Sequence, residues 1–104
     1  MTDTVPLPVV RYLAAKTPEE IADCFAEDGV AMDERQTHTG REAILAWRRQ
    51  VASVPYRQEI LSAQHEGDRA TVTCRISGSF PGSPVKLDYR FELAGDLIAR
   101  LEIR

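Results

Sequence analysis

Cysteine, histidine and tryptophan are scarce in this chain of 104 residues, which holds two, two and one of them, and long apolar runs are missing altogether. Cys24 and Cys74 each sit in an apolar periodic segment, which excludes a disulfide framework and a Cys/His metal site and reads as two small buried thiols. No stretch approaches the ~18 consecutive apolar residues that a membrane span needs. The opening M-T-D-T-V-P-L-P has neither the cationic nor the apolar region of a secretory leader, so a cytoplasmic location is expected. Charge of one sign is nowhere concentrated: 13 basic and 16 acidic residues are interspersed, for a net charge of −3. Without a basic patch to neutralise phosphates, neither nucleic acid nor membrane is an expected partner. H-E-x-x-H, G-x-S-x-G, a phosphate loop and a dinucleotide fingerprint are all absent, so no metal or cofactor is expected. Repeats and linkers are absent too, and residues 1–104 read as one globular domain with an ordinary core.

What is present is a change of period. Pro8 suits a first helical turn, and Val9, Tyr12 and Leu13 share a face of a short helix reaching about Ala15. Thr17-Pro18-Glu19-Glu20 predicts a second start, with Thr17 as cap, Pro18 at the first helical position and Glu20 closing a capping box. Ile21, Cys24 and Phe25 form its buried stripe, and Gly29 is read as its left-handed stop. A strand from Val30 to about Glu34 follows. Thr39-Gly40-Arg41-Glu42 repeats the T-x-x-E pattern before a third helix with Ile44, Trp47 and Val51 inward, ended by Pro55. From Tyr56 onward the residues alternate instead. Ala70, Val72, Cys74 and Ile76, then Val85, Leu87, Tyr89, Phe91 and Leu93, make one apolar face of a four-strand antiparallel meander, with Leu97, Ala99, Leu101 and Ile103 completing it. Turns fall at Gly67, Pro81-Gly82 and Gly95. Helices followed by strands predict an α+β fold.

The run from Phe25 to Trp47, F-A-E-D-G-V-A-M-D-E-R-Q-T-H-T-G-R-E-A-I-L-A-W, and the order of elements around it resemble the nuclear transport factor 2-like superfamily, in particular the SnoaL-like branch that contains ketosteroid isomerases and polyketide cyclases. The resemblance covers nearly the whole chain. It implies a cystatin-like cone, a curved and mostly antiparallel sheet wrapped around N-terminal helices, with a small-molecule pocket inside. It also implies candidate site residues. Asp33, eight residues after Phe25, takes the place of the family's general base, although simple alternation makes Val30 and Met32 the buried face and turns Asp33 outward. Tyr12, in Arg11-Tyr12-Leu13-Ala14-Ala15, resembles the family's R-Y-x-A-A tyrosine, or else packs its ring in the core. The isomerase's neutral acid has no counterpart. Leu87 falls in its place, and a one-residue slip to Asp88 would expose Leu87, Tyr89 and Phe91 at ~1.5–3 kcal/mol per side chain. Steroid isomerisation is therefore not expected.

His38, before the third helix, is either a pocket base or an exposed loop histidine, and Trp47, Tyr56, Phe80 and Tyr89 either line a cavity or pack the core. Two function classes follow. One is an isomerase, cyclase or hydrolase acting on a small apolar molecule, with Asp33 as base and Tyr12 or His38 assisting. The other is a ligand-binding or dimerisation module without chemistry, since one scaffold hosts many functions. The outer sheet face, with Thr73, Arg75, Asp88 and Arg90, mixes both signs and suits a homodimer interface.

Overall fold

A computed structural model describes residues 5–104; the leader reading at residues 1–4 lies outside them. Helix α1 (Leu7–Ala14) has proline in its first turn and buries Val9 and Tyr12. Helix α2 (Pro18–Asp23) begins as the sequence predicts, with the Glu20 amide donating to Thr17 Oγ1 at 3.1 Å. The Thr17 hydroxyl in turn donates to the Glu20 carboxylate at 3.3 Å, so the reciprocal bond of the box goes to the side chain and not to the backbone. The helix stops at Asp23, well before Gly29, and strand β1 (Phe25–Asp33) starts almost at once. Gly29 is therefore a strand residue and not a helix stop. A Cβ there would stand 2.9 Å from the Ala26 oxygen and 3.0 Å from Phe25 Cβ, which is why only glycine fits.

The polar run Gln36–Thr39, read as a loop, is strand β2, pairing antiparallel with β1 from Val30↔Thr39 to Asp33↔Gln36. That pairing takes Thr39 away from helix capping. Helix α3 (Arg41–Ala52) is instead entered through Gly40, whose φ of 88° is open to glycine and strained for other residues. Ile44 and Trp47 are buried on its inner side.

The remaining strands are β3 (Tyr56–Glu66), β4 (Arg69–Gly78), β5 (Val85–Ala94) and β6 (Leu97–Ile103), joined into the expected antiparallel meander. One curved, unclosed sheet of order β2-β1-β6-β5-β4-β3 results, with β2 and β3 as its open edges. Its only parallel pair, among the described residues, is β1 with β6. The inner face buries Val72, Cys74, Tyr89, Phe91, Ile98 and Leu101 against Val9, Tyr12, Ile21, Ile44 and Trp47 of the helices. Both cysteines are free and buried.

Two irregularities reset the side-chain alternation. On β6 the register passes from Glu92↔Arg100 to Leu93↔Ile98, leaving Ala99 as an extra residue. Ile98, Leu101 and Ile103 are consequently the buried set, whereas the unbroken alternation expected at Leu97 and Ala99 leaves those two only half-buried. On β3 a similar break falls between Ile60 and Ser62.

Gly29→Ala is expected to destabilise the protein by about 1–3 kcal/mol, the usual cost of overpacking a tight contact. Thermal melting of the variant beside wild type reads this directly, and an unchanged midpoint would show that β1 can shift to admit the methyl group.

Candidate functional site

Between α3 and the concave side of the sheet lies a cavity of about 610 Å³. This is a volume typical of small-molecule sites. Trp47, Arg48 and Val51 come to it from α3, Asp33 from β1 and His38 from β2, while Tyr56, Ile76, Phe80, Leu87 and Tyr89 form the far wall. All four residues expected to line a pocket, Trp47, Tyr56, Phe80 and Tyr89, border it, and so do Asp33 and His38. Tyr12 does not.

Asp33 reaches the cavity because the alternation in β1 runs opposite to the reading from side-chain size. Gly29 and Ala31 are the buried residues, Ala31 with 0% exposure, while Val30 and Met32 are half-covered on the other side. Small residues face inward where α3 crosses the strand, and Asp33 continues their face. Its carboxylate Oδ2 accepts a hydrogen bond from Trp47 Nε1 at 3.3 Å. Burial pushes the Asp33 carboxyl above the ordinary carboxylate range, against the opposing pull of the Trp47 donor. His38 stacks on the Trp47 ring with centroids 5.3 Å apart and 14° between planes, and its Nε2 is enclosed without a partner among the described residues. It is a strand residue packed in the site and not an exposed loop histidine.

Tyr12 lies in the core, 4% exposed, with its ring edge-on to Phe25 and Phe91 at 6.2 and 5.5 Å. Its hydroxyl has no partner among the described residues, and burial pushes its pKa strongly up, so the phenol stays protonated. Leu87 borders the cavity while Asp88 points away and accepts a 2.7 Å bond from the Thr73 hydroxyl. The rejected register slip is therefore absent, and the isomerase pair of oxyanion donors is not assembled around this cavity.

Arg48 is the site residue that sequence reasoning missed. Its Nη2 donates to Tyr56 Oη at 2.8 Å, and its guanidinium carbon lies 5.1 Å from the Trp47 ring centroid and 6.0 Å from that of Tyr12. The signal was there in the helical spacing: Ile44, Trp47, Arg48 and Val51 share one stripe, and an arginine in an apolar stripe needs a reason. Among the described residues, no group of three His, Cys, Asp or Glu is placed to hold a metal ion, and no helix is long and apolar enough to cross a membrane.

The sequence profile of the SnoaL-like domain matches residues 9–101. A structure from Sinorhizobium meliloti, provisionally named a polyketide cyclase, is 38% identical over 96% of this chain and 95% of its own, with a TM-score of 0.88. A protein from Catenulispora acidiphila with a ketosteroid isomerase-like fold, solved with trimethylamine, is 24% identical over 97% of this chain and 86% of its own, at a TM-score of 0.83. A nuclear transport factor 2-like protein of unknown function from Cytophaga hutchinsonii is 13% identical over 100% of this chain and 93% of its own, at 0.74. The last two likenesses are of fold alone. No curated protein matches the chain.

A carboxyl held above its unfolded pKa binds more protons in the folded state, so its contribution to stability is greatest in acid and is lost as pH rises from the unfolded value through the folded one. Asp33→Asn keeps an acceptor for Trp47 and removes the titration. The melting temperature of Asp33→Asn relative to wild type is therefore expected to climb with pH across that window and to level off above it. A difference that falls with rising pH in a series of thermal melts would mean that the fold favours the ionised carboxylate.

Proposed function

We propose that this chain, which belongs to the SnoaL-like domain family, binds a small and mostly apolar carbonyl compound in the cavity under α3 and moves a proton on it with Asp33. The observation that carries this reading is Asp33 itself: a carboxyl drawn out of water on the wall of an apolar cavity, with its basicity raised by burial. A base so tuned sits closer to the pKa that proton abstraction next to a carbonyl requires at neutral pH. The name of the Sinorhizobium relative, a provisional polyketide cyclase, is consistent with carbon-acid chemistry of this kind. His38 stands against Trp47 as a second group able to relay the proton. Tyr12 packs behind the wall, its ring centroid 6.0 Å from the guanidinium carbon of Arg48.

Incorporation of solvent deuterium next to the carbonyl of β-tetralone, followed by NMR, tests the base without knowledge of the natural substrate. Wild type is expected to accelerate the exchange, and Asp33→Asn to slow it by about 10²- to 10⁴-fold, the usual worth of a positioned base. Binding of the ketone with no acceleration would favour the module without chemistry.

A homodimer through the outer sheet face accompanies this proposal. Arg75–Glu59 at 3.5 Å is an exposed pair of little intrinsic worth, and Arg90 at 3.9 Å from the half-buried Glu102 is exposed too, so both arginines are available to exchange partners across a two-fold axis. Sedimentation at roughly micromolar concentration should show a dimer, and an Arg90→Glu variant should shift it toward monomer by placing like charges together.

A further inference from the structure

We infer that the ligand of this cavity carries a carboxylate on a flat apolar body and that Arg48 is the residue that anchors it, an inference that rests on the cavity being the small-molecule site. Arg48 is set apart from the other ten arginines by burial: it alone is half-buried, while the rest are exposed, five of them paired with glutamate and five without a carboxylate partner among the described residues. Arg49, Arg69, Arg75, Arg90 and Arg104 each have a glutamate oxygen within 4.0 Å. Arg48 has no carboxylate within that distance among the described residues, and its one side-chain bond goes to the neutral Tyr56 hydroxyl. Its Nε is enclosed and without an acceptor. Asp33 shares the cavity but is not paired with it, accepting instead from Trp47.

A guanidinium half withdrawn from water, in a cavity whose lining includes Val51, Ile76, Val85 and Leu87, is a strong local field that no bonded carboxylate cancels, Asp33 acting on it only at longer range. A neutral ligand would leave that charge uncompensated while displacing the water that screens it. A carboxylate would compensate it, and the planar fork of arginine matches the two carboxylate oxygens better than any ammonium does. The aromatic surroundings decide the shape of the rest of the ligand. Trp47 is covered by His38 and Arg48, but the half-buried rings of Tyr56 and Phe80 border the same cavity, so a planar body bonded to the acid has aromatic surface to lie against. The anchor also separates duties within the site: Arg48 on α3 holds the acid of the ligand, and Asp33 on β1, bonded to Trp47 and not to Arg48, is left to act on a carbon.

Calorimetric titration with β-naphthoate and its uncharged isostere β-naphthamide tests this on the full chain. Wild type is expected to bind the acid at least about tenfold more tightly than the amide. In Arg48→Gln the preference of acid over amide should fall to near parity. Arg48→Lys, which keeps the charge without the fork, should retain part of the preference and serves if Arg48→Gln does not fold. Equal or tighter binding of naphthamide by wild type, or a preference that survives Arg48→Gln, overturns the assignment and leaves the cavity a small-molecule site. Failure of both probes to bind at roughly millimolar concentration overturns the inference together with the cavity's role as a site for flat apolar ligands.

Discussion

The parallel pairing of β1 with β6 is the constraint on which the rest of this molecule depends. Val30, Ala31 and Met32 sit beside Arg100, Leu101 and Glu102, and the Ile98 amide donates to the Cys24 carbonyl at 2.8 Å, so the first strand of the chain is fastened to the last. The meander from β3 to β6 is built of local hairpins joined by short turns and does not need this pairing for its connectivity. What the meander would lack alone is the wall that carries Asp33 and, through β2, His38. Because β6 stands between β1 and β5, residues from both ends of the sequence face one space under α3. Ala31, fully buried on the inner side of β1, adds little bulk there, while Gly29 makes room for Phe25 and Ala26 of its own strand.

Within the space so enclosed, Trp47 is the common neighbour. It donates to Asp33, stacks on His38 and lies beside the Arg48 guanidinium. One rigid side chain thus sets the positions of an acid, an imidazole and a cation without allowing acid and cation to neutralise one another. Had Asp33 and Arg48 formed a direct ion pair, the carboxyl would be held ionised at low basicity and the guanidinium would be silent. Their separation leaves burial as the main influence on Asp33. Tyr12, which resembles a catalytic residue by its sequence setting, is used differently. Its ring joins Phe25, Tyr89 and Phe91 in the core behind the site.

The parts of the fold written in period were legible in the sequence: α2 and its threonine cap, the four long strands, and the alternating faces of β4 and β5. Elements defined by partners and not by period were not. Gln36–Thr39 has no apolar alternation and becomes a strand only because β1 presents an unpaired edge. The bulge at Ala99 carries no local mark, yet it changes which residues of β6 turn inward. For the cavity, the resemblance pointed to Asp33, and Trp47, Tyr56, Phe80 and Tyr89, read as either cavity lining or core, all border it. The orientation of Asp33 depended on which side of β1 the helices cover, a tertiary fact that left alanine and glycine buried and valine and methionine half-covered. Arg48 was overlooked because it stands beside Trp47 in a charged run, W-R-R-Q, where its neighbour Arg49 is the exposed partner of Glu19.

The sheet does not close, and its two free edges are treated differently from its centre. On one side β2 is only four residues long. On the other, β3 is long enough to template a foreign strand, but its ladder breaks between Ile60 and Ser62, and charged residues such as Arg57 and Glu59 are exposed along it. A flat, apolar border of that length would invite strand addition and growth into fibres, whereas a kinked border with charge along it offers an incoming chain no continuous row of donors and acceptors. The break at Ile60–Ser62, where Ile60 and Leu61 are exposed, therefore interrupts the row of backbone groups just where an incoming strand would find apolar side chains.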